Sequence, residues 1–202
     1  MSEMEREFLI PVIGYLLGSI PFGFLIVRFA AGADIRKQGS GNIGATNVFR
    51  KSRWAGIGTL VLDGGKGYFA VLIARWMGGD PAWQAIAALA AILGHVFTVW
   101  LRFKGGKGVA TGCGAYLAIC PAAVVTTLVV FVLTVALTRY ISLASILATG
   151  AFPLWAYLYG EPTAVLFWGA MGATVIILKH HQNIRRLFLG TETKFALGNR
   201  PG

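Results

Sequence analysis

Three stretches of this chain combine glycine, small polar residues and basic side chains in patterns that suit the binding of anions. The first reads Gly39-Ser40-Gly41-Asn42-Ile43-Gly44-Ala45-Thr46-Asn47-Val48-Phe49-Arg50. Glycines let backbone N–H groups approach a ligand, and Ser40, Asn42, Thr46 and Asn47 add side-chain donors. Arg50 adds a fork that matches phosphate oxygens. The plainer reading is a linker with turn chemistry, although a linker has no need of Asn42, Thr46, Asn47 and Arg50 together. The second stretch reads Phe103-Lys104-Gly105-Gly106-Lys107-Gly108-Val109-Ala110-Thr111 and runs straight into an apolar segment. Gly105, Gly106 and Gly108 with Lys104 and Lys107 ahead of a helix would form a phosphate cradle of backbone amides, reinforced by the helix dipole. The alternative is a pair of interfacial lysines. It is not a nucleotide-hydrolysing loop: Leu101 stands where the first glycine is needed, and Gly108 follows Lys107 in place of Ser or Thr.

The third stretch is Lys179-His180-His181-Gln182-Asn183-Ile184-Arg185-Arg186, followed by Gly190 and Glu192. On a continuing helix His180 shares a face with Asn183, and Asn183 with Arg186. Adjacent histidines diverge on a helix and no carboxylate lies at ligand spacing, so no metal is expected. Cys113 and Cys120 sit in an uncharged apolar run and read as reduced packing residues. His95, after Gly94, reads as a packing histidine.

The elements that must position these residues are apolar. The chain has 202 residues, 56% of them hydrophobic, and a mean hydropathy of +0.67. Phe8 to Val27, Val109 to Thr138 and Tyr140 to Gly160 carry no charge, and Pro81 to Leu101 has only His95 able to titrate. About 20 apolar residues cross a ~30 Å hydrocarbon core. The expectation is therefore a single all-α polytopic membrane domain over residues 1–202. Glu3, Glu5 and Glu7 and the length of the first run argue against a cleaved signal peptide. The net charge of +10 does not imply nucleic acid, because the basic residues lie between apolar runs, as the positive-inside rule expects.

If each basic cluster faces the cytoplasm, the N-terminus is outside and span one is Phe8 to Phe29. Span two is about Trp54 to Met77, span three about Ala82 to Leu101, and the last two Tyr140 to Gly160 and Pro162 to Leu178. Parity then requires Val109 to Thr138 to cross twice, with Pro121 breaking it. This gives seven transmembrane helices with the C-terminus cytoplasmic, and leaves only Arg6 and Arg75 of the 18 Lys and Arg outside. A six-span arrangement would send the last basic cluster out. Within span two, Asp63-Gly64-Gly65-Lys66-Gly67 puts a carboxylate and an ammonium three residues apart. Such a pair is either self-neutralised or part of a site; Asp63 and Lys66 are expected to form a wall of the site.

Taken together, these segments resemble the acyl-phosphate-dependent glycerol-3-phosphate acyltransferase family of bacterial membranes, the PlsY family. The likeness runs from Gly18-Ser19-Ile20-Pro21-Phe22-Gly23 to Glu192 and includes Asp63-x-x-Lys66-Gly67 and Ser142-Leu143-Ala144-Ser145. Thr98 departs from it, where a proline is expected. The resemblance implies seven spans in the inner membrane, with the three motifs on the cytoplasmic side. It also implies transfer of a fatty acyl group from acyl phosphate to the 1-hydroxyl of glycerol 3-phosphate, giving 1-acylglycerol 3-phosphate and phosphate without a cofactor. Ser40, Arg50, Lys104, His180 and Asn183 are the expected catalytic residues. Gly41, Asn42, Thr46, Asn47, Asp63, Lys66, Gly105, Gly106, Lys107, Gly108 and Thr111 are expected to bind substrate, and Glu192 to be a structural carboxylate. The rival readings are a transporter of a phosphorylated metabolite and a non-catalytic lipid-binding protein.

Overall fold

The uncharged run at the N-terminus forms not one helix but two, α1 (Glu3–Ser19) and α2 (Phe22–Ala31). Pro21 lacks an N–H and disfavours helical geometry in the residue before it, so the chain breaks there. The break takes the Ser19 and Ile20 carbonyls out of regular helical bonding at membrane depth, where an unsatisfied polar group costs several kcal/mol. Phe22 N–H turns back to Ile20 O at 3.1 Å. Thr98 Oγ1 donates to Ser19 O at 2.5 Å and Lys66 Nζ to Ile20 O at 2.8 Å. Thr98 has φ −62°, the value a proline would hold. The proline expected here would hold a similar φ, but Thr98 also offers a hydroxyl that caps Ser19 O.

The computed structural model describes residues 3–195, and among these there is no β-strand. After a 3₁₀ turn at Ile35–Lys37 come α3 (Ala45–Lys51) and α4 (Arg53–Trp76). Next is α5 (Pro81–Val96), which begins with Asp80 capping Trp83 N–H and Pro81 in the first turn, a favoured start. A second 3₁₀ turn, Val99–Leu101, precedes α6 (Val109–Ile119), α7 (Pro121–Thr138), α8 (Ile141–Leu158), α9 (Thr163–Leu178) and α10 (His181–Phe188). Pro121 separates α6 from α7, as its chemistry requires.

Five segments are long and apolar enough to cross a membrane: Glu7–Ala31, Arg53–Trp76, Pro81–Leu101, Pro121–Thr138 and Ile141–Leu158. Helices α9 and α10 would together make a sixth, but they bend by 56°. The helix after Leu178 therefore does not continue, contrary to the sequence expectation, and His180 lies in the turn before α10. At its 11 residues, α6 spans only ~16 Å.

The centre of the bundle is α5. Its alanines Ala85, Ala87, Ala88, Ala90 and Ala91 are buried, and α1, α4, α6 and α9 all pack on it. Helices α4 and α6 approach through glycine. A Cβ at Gly67 would overlap the Thr111 carbonyl, and one at Gly114 would overlap that of Gly64. Small residues at such contacts let backbones approach closely where lipid offers no hydrophobic drive between helices. Helix α7 packs mainly on α8 and turns most of its surface outward.

Candidate active site

The first loop is organised by Asn47, which is buried at the start of α3. Its Nδ2 hydrogens lie within reach of the carbonyls of Asn42 (2.8 Å), Gln38 (3.0 Å) and Ile35 (3.4 Å), and its Oδ1 accepts from Ser40 N–H at 3.0 Å. An amide has two hydrogens and one oxygen, so these bonds engage both hydrogens and one lone pair of the oxygen. Asn47, expected to bind substrate, holds the loop in shape through these bonds. Asn42 Oδ1 accepts from Gly44 N–H at 2.8 Å, a local turn. Gly41 has φ +71°, open to glycine. The Ser40 and Arg50 side chains are exposed at the rim, and Thr46 is half-buried beside them.

In the second loop, the N–H groups of Gly105 and Gly106 donate to Val96 O at 3.1 Å and His95 O at 3.0 Å. They are not free to cradle phosphate, as the sequence suggested. These bonds draw the loop onto the C-terminal end of α5. The donors that remain are at the start of α6. Its first intrahelical bond is Gly112 N–H to Gly108 O, and N–H groups ahead of that bond have no helical partner. Gly108 makes the entry at φ +88°. Lys104 is exposed and Lys107 half-buried. Thr111, expected to bind substrate, is wholly buried where α6 meets α4. Asp63 and Lys66, expected to form a wall of the site, face each other. They form a 2.8 Å ion pair whose side chains are 3% and 2% exposed.

The third segment is built around Glu192. Its Oε1 accepts from Ser142 Oγ and Asn183 Nδ2, both at 2.8 Å, and its Oε2 from Arg186 Nε at 2.6 Å. Burial would raise its pKa, but these hydrogen bonds outweigh burial and hold the carboxyl below its ordinary range. Glu192 thereby ties α8 to α10. Ser142 and Arg186 were outside the expected site set, though both lay within quoted segments. The signal for them was a lone carboxylate among basic residues. His180 is 2% exposed. Its Nδ1–H donates to Ile176 O at 2.8 Å, because a carbonyl can only accept, and this leaves Nε2 with a lone pair.

The three segments meet at one end of the bundle. Burial lowers the Lys107 ammonium to about 8. The nearby Glu192 carboxylate raises it, while the Arg186 and Arg50 guanidinium groups lower it. Burial, then the Lys107 charge, pushes His180 down to about 4. Arg50, Lys107, His180, Arg186 and Glu192 therefore share one electrostatic neighbourhood. Beneath it, an apolar cleft of about 80 Å³ runs between α5 to α9, from Val109, Gly112 and Ile176 to Tyr116, Phe152 and Gly169. The segment after Glu192 returns over the same end: Phe195 N–H donates to Arg139 O at 2.7 Å, and its ring lies 5.8 Å from Phe49.

A helical membrane bundle with a cationic polar end above an apolar cleft defines a class: an integral membrane protein for anionic, lipid-like ligands. The chain belongs to the glycerol-3-phosphate acyltransferase family, whose profile matches residues 8–190. A glycerol-3-phosphate acyltransferase of Geobacter sulfurreducens is 48% identical over 193 residues, covering 95% of this chain and 99% of the relative. One of Trichlorobacter lovleyi is 50% identical over 182 residues, covering 90% and 93%. The fold matches the crystal structure of PlsY, an integral membrane glycerol 3-phosphate acyltransferase, in its glycerol 3-phosphate form. The TM-score is 0.90 at 40% identity, over 94% of this chain and 96% of that one. The lysophosphatidic acid form matches with a TM-score of 0.86 at 38% identity.

Proposed function

We propose that this chain transfers a fatty acyl group from acyl phosphate to the 1-hydroxyl of glycerol 3-phosphate in the bacterial inner membrane. The observation that carries this is the convergence of Arg50, Lys107 and the His180–Glu192 segment above an apolar cleft. Two phosphate heads need cations, and one of the substrates brings an alkyl chain that needs the cleft. The family membership supports the acceptor. The pairing of a cationic end with an apolar cleft supports an acyl phosphate as the donor.

The hydroxyl oxygen attacks the acyl carbonyl carbon; the new C–O bond forms as the bond to the phosphate oxygen breaks. Acyl phosphate is already an activated anhydride, so alignment and charge stabilisation suffice. Arg50, Lys104 and Lys107 neutralise phosphate charge. Ser40 and Asn183 orient the heads, and Gly41, Asn42, Thr46 and Gly108 shape the walls. A neutral His180 with its proton on Nδ1 presents Nε2 as an acceptor for the hydroxyl. Burial and the Lys107 charge push the His180 pKa down to about 4, which favours the departing phosphate as the group that takes the proton.

Purified protein in detergent, given acyl phosphate and glycerol 3-phosphate, should release inorganic phosphate in step with ester formation. His180→Gln, which keeps a hydrogen-bonding head but not a base, should retain a substantial fraction of turnover, whereas His180→Ala should not. Phosphate release that does not depend on glycerol 3-phosphate would defeat the reading.

A further inference from the structure

Near the middle of the bundle, α4 carries Asp63 and Lys66 against His95 in the last turn of α5, all three almost wholly buried. Lys66 Nζ is 2.8 Å from Asp63 Oδ1, 2.9 Å from His95 Nδ1 and 2.8 Å from Ile20 O. An ammonium has three hydrogens and no lone pair, so these neighbours use all three and His95 Nδ1 is an acceptor. The proton of the imidazole is then on Nε2. That nitrogen lies against Gly106, where a Cβ would overlap it. The His95 carbonyl receives the Gly106 N–H, and the next carbonyl receives that of Gly105. One line of contacts thus runs from the buried charges through the ring to the glycines between Lys104 and Lys107.

Joining helices in lipid does not require such charges. Between α4 and α6 glycine does so, and buried ions at membrane depth are costly unless they serve a purpose. We infer that Asp63, Lys66 and His95 are positioning residues for the phosphate loop. The ion pair fixes the tautomer and tilt of the His95 ring, and the ring fixes how far Gly105 and Gly106 stand from α5. That height sets where Lys104 and Lys107 meet a phosphate. The inference rests on the reading that this loop takes the phosphate of glycerol 3-phosphate.

Three variants test it. Asp63→Asn with Lys66→Met removes the pair without stranding a charge. His95→Asn keeps an acceptor for Lys66 but withdraws the ring from Gly106. Gly106→Ala displaces the loop from its own side. In folded protein, judged by elution and thermal midpoint, all three should raise the KM for glycerol 3-phosphate by about tenfold to a hundredfold, as a ~1 Å misplacement can. The KM for acyl phosphate should stay near that of the unsubstituted chain. If Gly106→Ala raises the KM but the folded double variant and His95→Asn do not, the network only holds helices together and the inference fails, while the loop reading stands. If none of the three moves the KM, the loop reading fails and takes the inference with it.

Discussion

If Lys107 binds the acceptor phosphate, acceptor affinity is sensitive to alkaline pH. Its ammonium titrates near 8, so it is charged at neutral pH and mostly neutral at pH 9. If it neutralises substrate phosphate, the KM for glycerol 3-phosphate should climb as pH rises from 7 to 9, by up to about one decade per unit above the pKa. In Lys107→Arg the guanidinium stays charged throughout that range, so the climb should disappear. Unfolding does not mimic the effect. A lysine whose folded pKa lies below its unfolded one makes the unfolded chain bind more protons between the two values, so this group's contribution to stability increases with pH there. At this scale the sequence was only partly legible. It showed the residues with polar heads, but not what those heads face. Asn47, Asp63 and Lys66 have the chemistry of ligand contacts, yet their partners are loop carbonyls and one another. The partners come from residues up to 46 positions away, which spacing along one element does not reveal.

At the scale of elements, apolar runs and prolines made most helices legible. The break at Ile20–Pro21 and the bend at His180 were not, although Pro21 stood in plain view. Seen along one run, a proline is compatible with a kinked span; Thr98 and Lys66, which satisfy the broken end, come from other helices. Glycines separate more sharply. Gly114 meets the backbone of Gly64, whereas nothing lies within 4 Å of the Cβ position at Gly65. Gly114→Val must push α6 from α4, and so shift the loop that α6 begins. It should lower the thermal midpoint in detergent and remove most activity. Gly65→Ala should raise stability by about 0.5–1 kcal/mol, the helix-propensity gain, with activity intact. Similar losses at both positions would show that α4 and α6 do not approach as described.

At the scale of the whole molecule, the first loop, second loop and third segment share one end of the bundle. Two helices, α4 and α5, separate the first from the second, and four, α6 to α9, separate the second from the third. Both numbers are even, which supports seven passes if α6 counts as one. Alone, α6 covers ~16 Å by its 11 residues, about half of a ~30 Å core. The shortfall has a functional reading: a short α6 would let the Lys104–Gly108 loop dip below the membrane surface, so that the phosphate of glycerol 3-phosphate could bind close to the apolar cleft that takes the donor's acyl chain. Single cysteines, in a chain with Cys113 and Cys120 replaced by Ala, test this on intact cells with an impermeant maleimide. Asp80→Cys and Glu161→Cys should react from outside. Lys37→Cys and His181→Cys should react only after the membrane is opened. If His181→Cys reacted from outside while Lys37→Cys did not, α6 and α7 would be a single pass, and the third segment could not join the other two around a substrate.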